Sequence, residues 1–135
     1  MAYKIEDIEG IGPAFGAKLR EAGIKNTDQL LDACSDAKGR KAIEERTGVA
    51  HKNLLTWVNL ADLMRISGIG PQFSELLEAA GVDTVKELRN RNAENLAAKM
   101  AEVNEEKHLT RMAPAMKTVA RWVEAAKAME PRISH

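Results

Sequence analysis

Apolar residues recur at helical spacing along most of the chain, and the alternating pattern of a β-strand is nearly absent. One predicted helix begins near Ala50 and turns four apolar residues inward, namely Leu54, Trp57, Val58 and Ala61. The last predicted helix opens at Pro114 and aligns five more: Met116, Val119, Val123, Ala126 and Met129. The sequence therefore predicts an all-α fold.

Other helices are predicted around residues 3–8, 38–46, 84–89 and 93–103. Asn26 and Thr84 are each followed three residues later by Gln or Glu, a combination typical of a helix N-terminus. The helix from Ala50 is expected either to run on into the next turn or to break at Asp62, which would then serve as an N-cap.

The C-terminal quarter of the chain contains two predicted breaks. Residues 104–110 are polar and charged, and are predicted to form a connector. Pro131 is expected to stop the last helix, because proline cannot continue one, and to leave residues 131–135 as a frayed tail.

A short stretch occurs twice, since residues 8–19 return as residues 66–77 with the shared pattern apolar-Gly-apolar-Gly-Pro. The glycines allow positive φ or a close backbone approach, which residues with a Cβ resist. Trp57 and Trp122, each followed by valine, close the two copies and are expected in the core, because they sit at helical spacing with aliphatic residues. We predict an internal repeat with units at residues 1–61 and 62–130. Neither half has many large apolar residues, so both are expected to share one core.

The repeated turn resembles the hairpin of the helix-hairpin-helix superfamily, and nearly the whole chain is similar to an uncharacterised bacterial family of tandem helix-hairpin-helix repeats. The resemblance implies two such repeats that associate with nucleic-acid backbone, DNA rather than RNA. Free amides at the turn and the dipole of the next helix can form an anion site without side chains. The predicted binding residues are Gly10, Ile11, Gly12 and Lys18 in the first copy, and Arg65, Ser67, Gly68, Ile69 and Gly70 in the second.

Charge argues in the other direction. Twenty basic residues balance twenty acidic ones, whereas a nucleic-acid binder usually has a basic excess because phosphate neutralisation supplies much of its affinity. Glu9 and Glu75 adjoin the two turns, where either carboxylate would repel phosphate. The alternative interpretation is therefore a protein-interaction or assembly module, in which the glycines only make a tight turn between packed helices.

Two further basic features have ordinary explanations. Arg40-Lys41 and the pair Arg89 and Arg91 are typical of solvated helix ends. Residues 40–60 also resemble a helix-turn-helix, whose second helix would enter a major groove, but the same turn commonly joins packed helices.

No catalytic constellation stands out. His51, His108 and His135 are far apart, and none has a Cys or carboxylate at the spacing of metal ligands. The Gly-Ile-Gly-Pro turns lack the Lys-Ser/Thr of a phosphate-binding loop. We expect no enzyme activity, no metal and no cofactor. The single Cys34, with no leader and no membrane span in the sequence, predicts a cytoplasmic protein that does not bind membranes.

Overall fold

The computed structural model describes residues 2–134, which contain eight α-helices, one 3₁₀ turn and no strand. The prediction of an all-α fold is confirmed. No helix in this part of the chain combines the length and apolar character needed to cross a membrane. In chain order the elements are the 3₁₀ turn Ile5–Asp7, α1 Gly12–Glu21, α2 Thr27–Cys34, α3 Ala37–Thr47, α4 His51–Leu63, α5 Pro71–Ala79, α6 Val85–Leu88, α7 Ala93–Lys107 and α8 Met116–Lys127.

Side-chain caps start four of the helices. The predicted caps are confirmed, since the Asn26 side chain accepts from the Gln29 amide at 2.8 Å and the Thr84 hydroxyl accepts from the Glu87 amide at 3.2 Å. Asp36 and Asn92 cap α3 and α7 in the same way. Each cap satisfies one of the amides that a helix start leaves without an intrahelical acceptor.

The buried apolar side chains form two clusters, so the prediction of one shared core is wrong. The first cluster draws on residues 5–64 and the second on residues 63–126. Each cluster contains one tryptophan among aliphatic side chains, so each half of the chain has a core of its own. At the end of α4, Met64 joins the first cluster and Leu63 the second, because neighbouring positions of a helix point to different sides.

The junction between α4 and α5 differs from both predicted alternatives. Helix α4 ends at Leu63, and Asp62 does not cap the following helix. The Asp62 side chain is only 1% exposed and accepts from the Val85 amide at 2.8 Å, at the start of α6. It also pairs with Arg65 at 2.7 Å. Asp62 is therefore a buried side chain that links α4 to α6 through a hydrogen bond.

The predicted connector over residues 104–110 begins later than expected. Helix α7 continues to Lys107 because the charged residues at its end lie on exposed positions, and His108 then ends it in the left-handed region at φ 52°. Asn104 holds the turn that follows, with its side chain accepting from the Thr110 amide at 2.8 Å and donating to the Thr110 carbonyl at 3.0 Å. The last helix begins at Met116, two residues beyond the predicted Pro114.

The C-terminal tail, which the sequence predicts to be frayed over residues 131–135, has no helix in the part that the structure describes. It returns to the first half of the chain, where Arg132 pairs with Asp32 at 2.8 Å. The buried Arg40 donates to the Ser134 carbonyl at 2.6 Å. These bonds fix a segment that carries no helix of its own. His135 lies outside the described residues.

Candidate functional site

Two glycine turns occupy equivalent places in the two halves. We call residues 8–12 the first glycine turn and residues 66–70 the second. Gly10 and Gly68 adopt left-handed backbone at φ 93° and φ 95°, where a side chain would cause strain. Gly70, by contrast, has φ −97° and needs no glycine for its conformation. A methyl group there would lie 3.5 Å from the Tyr3 hydroxyl, an ordinary contact.

A tryptophan closes each glycine turn. A methyl group built on Gly10 would lie 3.4 Å from Nε1 of Trp57, and one built on Gly68 would lie 3.2 Å from Nε1 of Trp122. Each indole also packs at a tilt against a phenylalanine of the helix after the turn, with ring centroids 5.1 Å and 5.2 Å apart. Both tryptophans are buried, as predicted. Their contact with the glycines is a feature that the sequence analysis missed.

The amides of the turns fall into two groups. The central isoleucine of each turn, Ile11 or Ile69, donates its amide to the isoleucine carbonyl three residues earlier, at 3.3 Å and 3.0 Å. Both isoleucine side chains are buried. Neither predicted residue therefore offers a free donor. Within residues 2–134, no acceptor bonds the amides of the four glycines Gly10, Gly12, Gly68 and Gly70.

The helices that follow the turns begin without side-chain caps. No side chain accepts from the first amides of α1 or α5. The N-cap residues of α4 and α8 also make no side-chain cap bond, and the other four helices are capped. Pro13 and Pro71 occupy positions in the first turn, where the missing N–H costs little. The free amides and the positive end of the helix dipole therefore make both starts favourable for an anion.

The second glycine turn borders an open cavity of about 360 Å³. Ser67 and Gly68 line it from the turn, and Thr118, Arg121 and Trp122 line it from α8. The Arg121 guanidinium takes part in no ion pair among the described residues, and its one hydrogen bond there is a long one of 3.4 Å to the Thr118 hydroxyl. The cavity lining contains no carboxylate.

Thr118 and Arg121 were absent from the sequence prediction, because α8 is distant from the turn along the chain. A signal was nevertheless present. Trp57 and Trp122 occupy corresponding places, so the residue before each tryptophan also corresponds, and this compares Thr56 with Arg121. The second copy thus gains a cation that the first copy does not have.

Carboxylates adjoin both glycine turns. Glu9 stands in the first turn at the place of Ser67 in the second, and Glu75 lies on α5, the helix that follows the second turn. Burial raises the pKa of Glu75 on α5, and the charges of Glu9 and Glu78 raise it further. The structure therefore brings the predicted repulsive residues Glu9 and Glu75 within electrostatic range of each other.

The two predicted cations lie near the turns in different ways. Arg65 is committed to the protein, because it pairs with Asp62 at 2.7 Å and donates to the Glu130 carbonyl at 2.8 Å. Lys18 is exposed in the second half of α1, with its ammonium 5.9 Å from the centroid of the Phe15 ring. It lines another open cavity, of about 400 Å³, which also contains a carboxylate, Glu21.

Two of the other basic residues singled out by the sequence, Arg40 and Arg91, have structural partners. Arg40 is 1% exposed and donates to the Cys34 carbonyl at 2.9 Å, so it does not belong to a solvated helix end. Arg91 pairs with Glu87 at 3.1 Å.

Burial raises the pKa of the Cys34 thiol to about 11. Over residues 2–134, no group of three His, Cys, Asp or Glu side chains is arranged to hold a metal ion.

The comparisons with known proteins identify a family without assigning an activity. No curated protein and no solved structure matches the chain. One family model, described as a domain of unknown function (DUF4332), matches residues 9–129. This range includes both tryptophans, the whole second glycine turn and all of the first except Ile8. Since this match covers most of the sequence, the chain belongs to the DUF4332 family.

Proposed function

We propose that this protein binds nucleic-acid backbone weakly and without sequence preference, through two tandem helix-hairpin-helix turns, and that it binds DNA rather than RNA. The observation that carries the proposal is the pair of uncapped helix starts, each preceded by a glycine turn with free amides. The other interpretation of the glycines, a tight turn between packed helices, would not require these amides to remain without acceptors.

The mechanism is contact with phosphate alone. Amides of the turn and of the following helix start donate to phosphate oxygens, and the helix dipole favours the negative charge. Such contacts reach no base edge, so they carry no sequence information. Binding is expected to be weak, because the net charge is zero and Glu9 adds a negative charge at the first turn.

The test is a fluorescence-anisotropy titration of labelled duplex and single-stranded DNA at several salt concentrations. If each turn contacts about two phosphates, the log-log slope of affinity against salt should lie near −3 to −4. Two duplexes of equal length and unrelated sequence should bind equally. An affinity that stays constant between low and moderate salt would contradict contact with the backbone.

A second candidate is a protein-interaction module on the same scaffold. The supporting observation is an apolar surface between α7 and α8, where Met112 is 76% and Met116 is 53% exposed. Self-association in sedimentation velocity, lost in the double variant Met112→Ser/Met116→Ser, would favour this candidate. A monomer at all concentrations that binds DNA at low salt would favour the first.

A further inference from the structure

We propose that the cavity between the second glycine turn and α8 is a binding site for one phosphate group, and that the first turn, which offers only its backbone amides, has no equivalent side-chain pocket. We call it the α8 phosphate pocket, formed by Ser67, Gly68, Thr118, Arg121 and Trp122. If the bound phosphate belongs to nucleic acid, the inference rests on the proposed function. The pocket has donors of its own, from α8, which the turn alone does not supply.

The indole of Trp122 provides the first argument. Trp122 is 3% exposed, yet none of the side-chain hydrogen bonds in the described part of the chain involves its Nε1–H. Asn59 Oδ1 is the only sealed polar side-chain atom of residues 2–134 that lacks a partner. The nitrogen of Trp122 must therefore reach solvent, and it does so beside Gly68 in the lining of the pocket. A buried indole usually finds an acceptor for this N–H, so an acceptor from outside the protein fits here.

The other donors provide the second argument. Arg121 is an exposed guanidinium without a carboxylate partner in the structure. The hydroxyls of Ser67 and Thr118 and the free amide of Gly68 add neutral donors around the same space. A planar guanidinium, which donates in pairs to phosphate oxygens, together with backbone and hydroxyl donors suits a tetrahedral oxyanion.

The first turn supplies a natural comparison. Trp57 contacts Gly10 just as Trp122 contacts Gly68, and its buried Nε1–H is likewise without an acceptor among the described residues, so the scaffold is the same and the difference lies in the neighbouring side chains. The first copy nevertheless has Thr56 in place of Arg121 and Glu9 in place of Ser67. It therefore exchanges a cation for a neutral group and a hydroxyl for a carboxylate. Both differences make the first turn a weaker site for an anion than the second.

The size of the pocket limits what it binds. Its volume of about 360 Å³ falls within the range of small-molecule sites and exceeds the space that a phosphate group alone would fill. The remaining space is bordered by the apolar residues Ile66 and Ala125. A phosphate that carries an organic group, such as the sugar of a nucleic-acid strand, suits this lining better than a bare ion does. The same chemistry is also available in a free phosphate compound.

The two tryptophans make the proposal directly measurable. Trp57→Phe leaves Trp122 as the only indole, and Trp122→Phe leaves Trp57. We expect inorganic phosphate, titrated at constant ionic strength, to change the emission of the Trp57→Phe protein in a saturable way. The Trp122→Phe protein should show no such change. Equal responses from both variants, or none from either, would overturn the proposal.

An exposed variant guards against misfolding. Arg121→Gln, made in the Trp57→Phe background, should preserve the helical circular dichroism and abolish the emission change, because it removes only the cation of the pocket. Arg111→Gln removes an equal charge from an exposed position with no bonded partner in the structure, and should leave the phosphate titration unchanged. A titration curve unaffected by Arg121→Gln would overturn the proposal even if the protein folds normally.

Titration with DNA separates the two sources of phosphate. If nucleic acid supplies the phosphate, Arg121→Gln should weaken DNA binding about fivefold, the effect of roughly one kilocalorie per mole for one close charge pair in water. Arg111→Gln should weaken DNA binding much less. Equal weakening by both variants would overturn the pocket and leave the proposed function standing. A phosphate response without any DNA binding would refute the proposed function and assign the pocket to a free phosphate compound.

Discussion

Trp122 packs its indole nitrogen against Gly68, so that a methyl group on the glycine would lie 3.2 Å from Nε1. Trp57 and Gly10 make the same contact in the first half, at 3.4 Å. A glycine with positive φ and a tryptophan from a distant helix thus define each turn together. The contact explains why the turn sequence and the tryptophan recur together in the chain.

The contact predicts that the two glycines of the second turn differ in their tolerance of substitution. Gly68→Ala should lower the free energy of unfolding by about 1–3 kcal/mol, because φ 95° strains an alanine and its methyl group crowds the indole. Gly70→Ala is the matched control. Its φ of −97° suits alanine, so the change should stay within about 0.5 kcal/mol. Urea unfolding followed by circular dichroism measures both, and equal losses would contradict the argument.

The ion pair of Arg65 predicts a large cost for charge reversal. In Arg65→Glu a carboxylate would face Asp62, which is 1% exposed and would lose its partner. Breaking a buried pair in this way should lower the free energy of unfolding by about 3 kcal/mol or more. Arg111→Glu, on an exposed loop, should change it by less than about 0.5 kcal/mol. Equal melting temperatures for the two variants would show that Arg65 has no structural role.

The buried Arg40 predicts that the tail and the first half are coupled. Arg40→Met removes the donor to the carbonyls of Cys34 and Ser134, and should cost about 1–3 kcal/mol of stability. It should also speed tryptic cleavage after Arg132, since the tail loses one of its anchors. The adjacent Lys41→Met, at an exposed position, should do neither. Cleavage at the parent rate in Arg40→Met would mean that other contacts hold the tail.

The pKa of Glu75 predicts a pH-dependent gain on neutralisation. Burial, and then the charges of Glu9 and Glu78, raise the pKa of Glu75 in the folded protein above its ordinary value of 4.5, so folding disfavours the ionised form at neutral pH. Glu75→Gln should therefore raise the melting temperature slightly at pH 7, by less than about 1 kcal/mol in free energy.

The sign of this effect follows from proton linkage. As the pH falls through the raised pKa, Glu75 of the parent protein binds a proton, and the parent regains the stability that the ionised carboxylate costs. The difference in stability between the parent and Glu75→Gln should therefore vanish below about pH 4.5. Glu105→Gln, on an exposed part of α7, is the control and should show no such pH dependence. A difference that grows as the pH falls would contradict the assigned direction.

Much of the local structure could be predicted from the chain. Helical spacing of apolar residues reports which face is buried, and this predicted the all-α fold and the burial of both tryptophans. The caps Asn26 and Thr84 were also readable, because a cap and the amide it bonds are three residues apart. The glycines of the turns could also be identified, because the repeated pattern apolar-Gly-apolar-Gly-Pro is local in sequence. Only the tertiary structure showed that Gly68 has a positive φ and Gly70 does not.

Contacts between distant segments were beyond sequence reasoning. Asp62 meets Val85, Arg40 meets Ser134, and the cation beside the second turn is Arg121, which lies on α8. Asp62, Arg40 and Arg121 are charged, and in the sequence each resembles a surface group or a helix cap. The role of each depends on which backbone atoms the packed helices bring near it. The sequence by itself determined the helices, their caps and the duplicated glycine turn, because these depend on neighbours along the chain. Only the tertiary structure decided the division into two cores and the donors gathered around the second turn, because both depend on how helices pack across large separations in sequence.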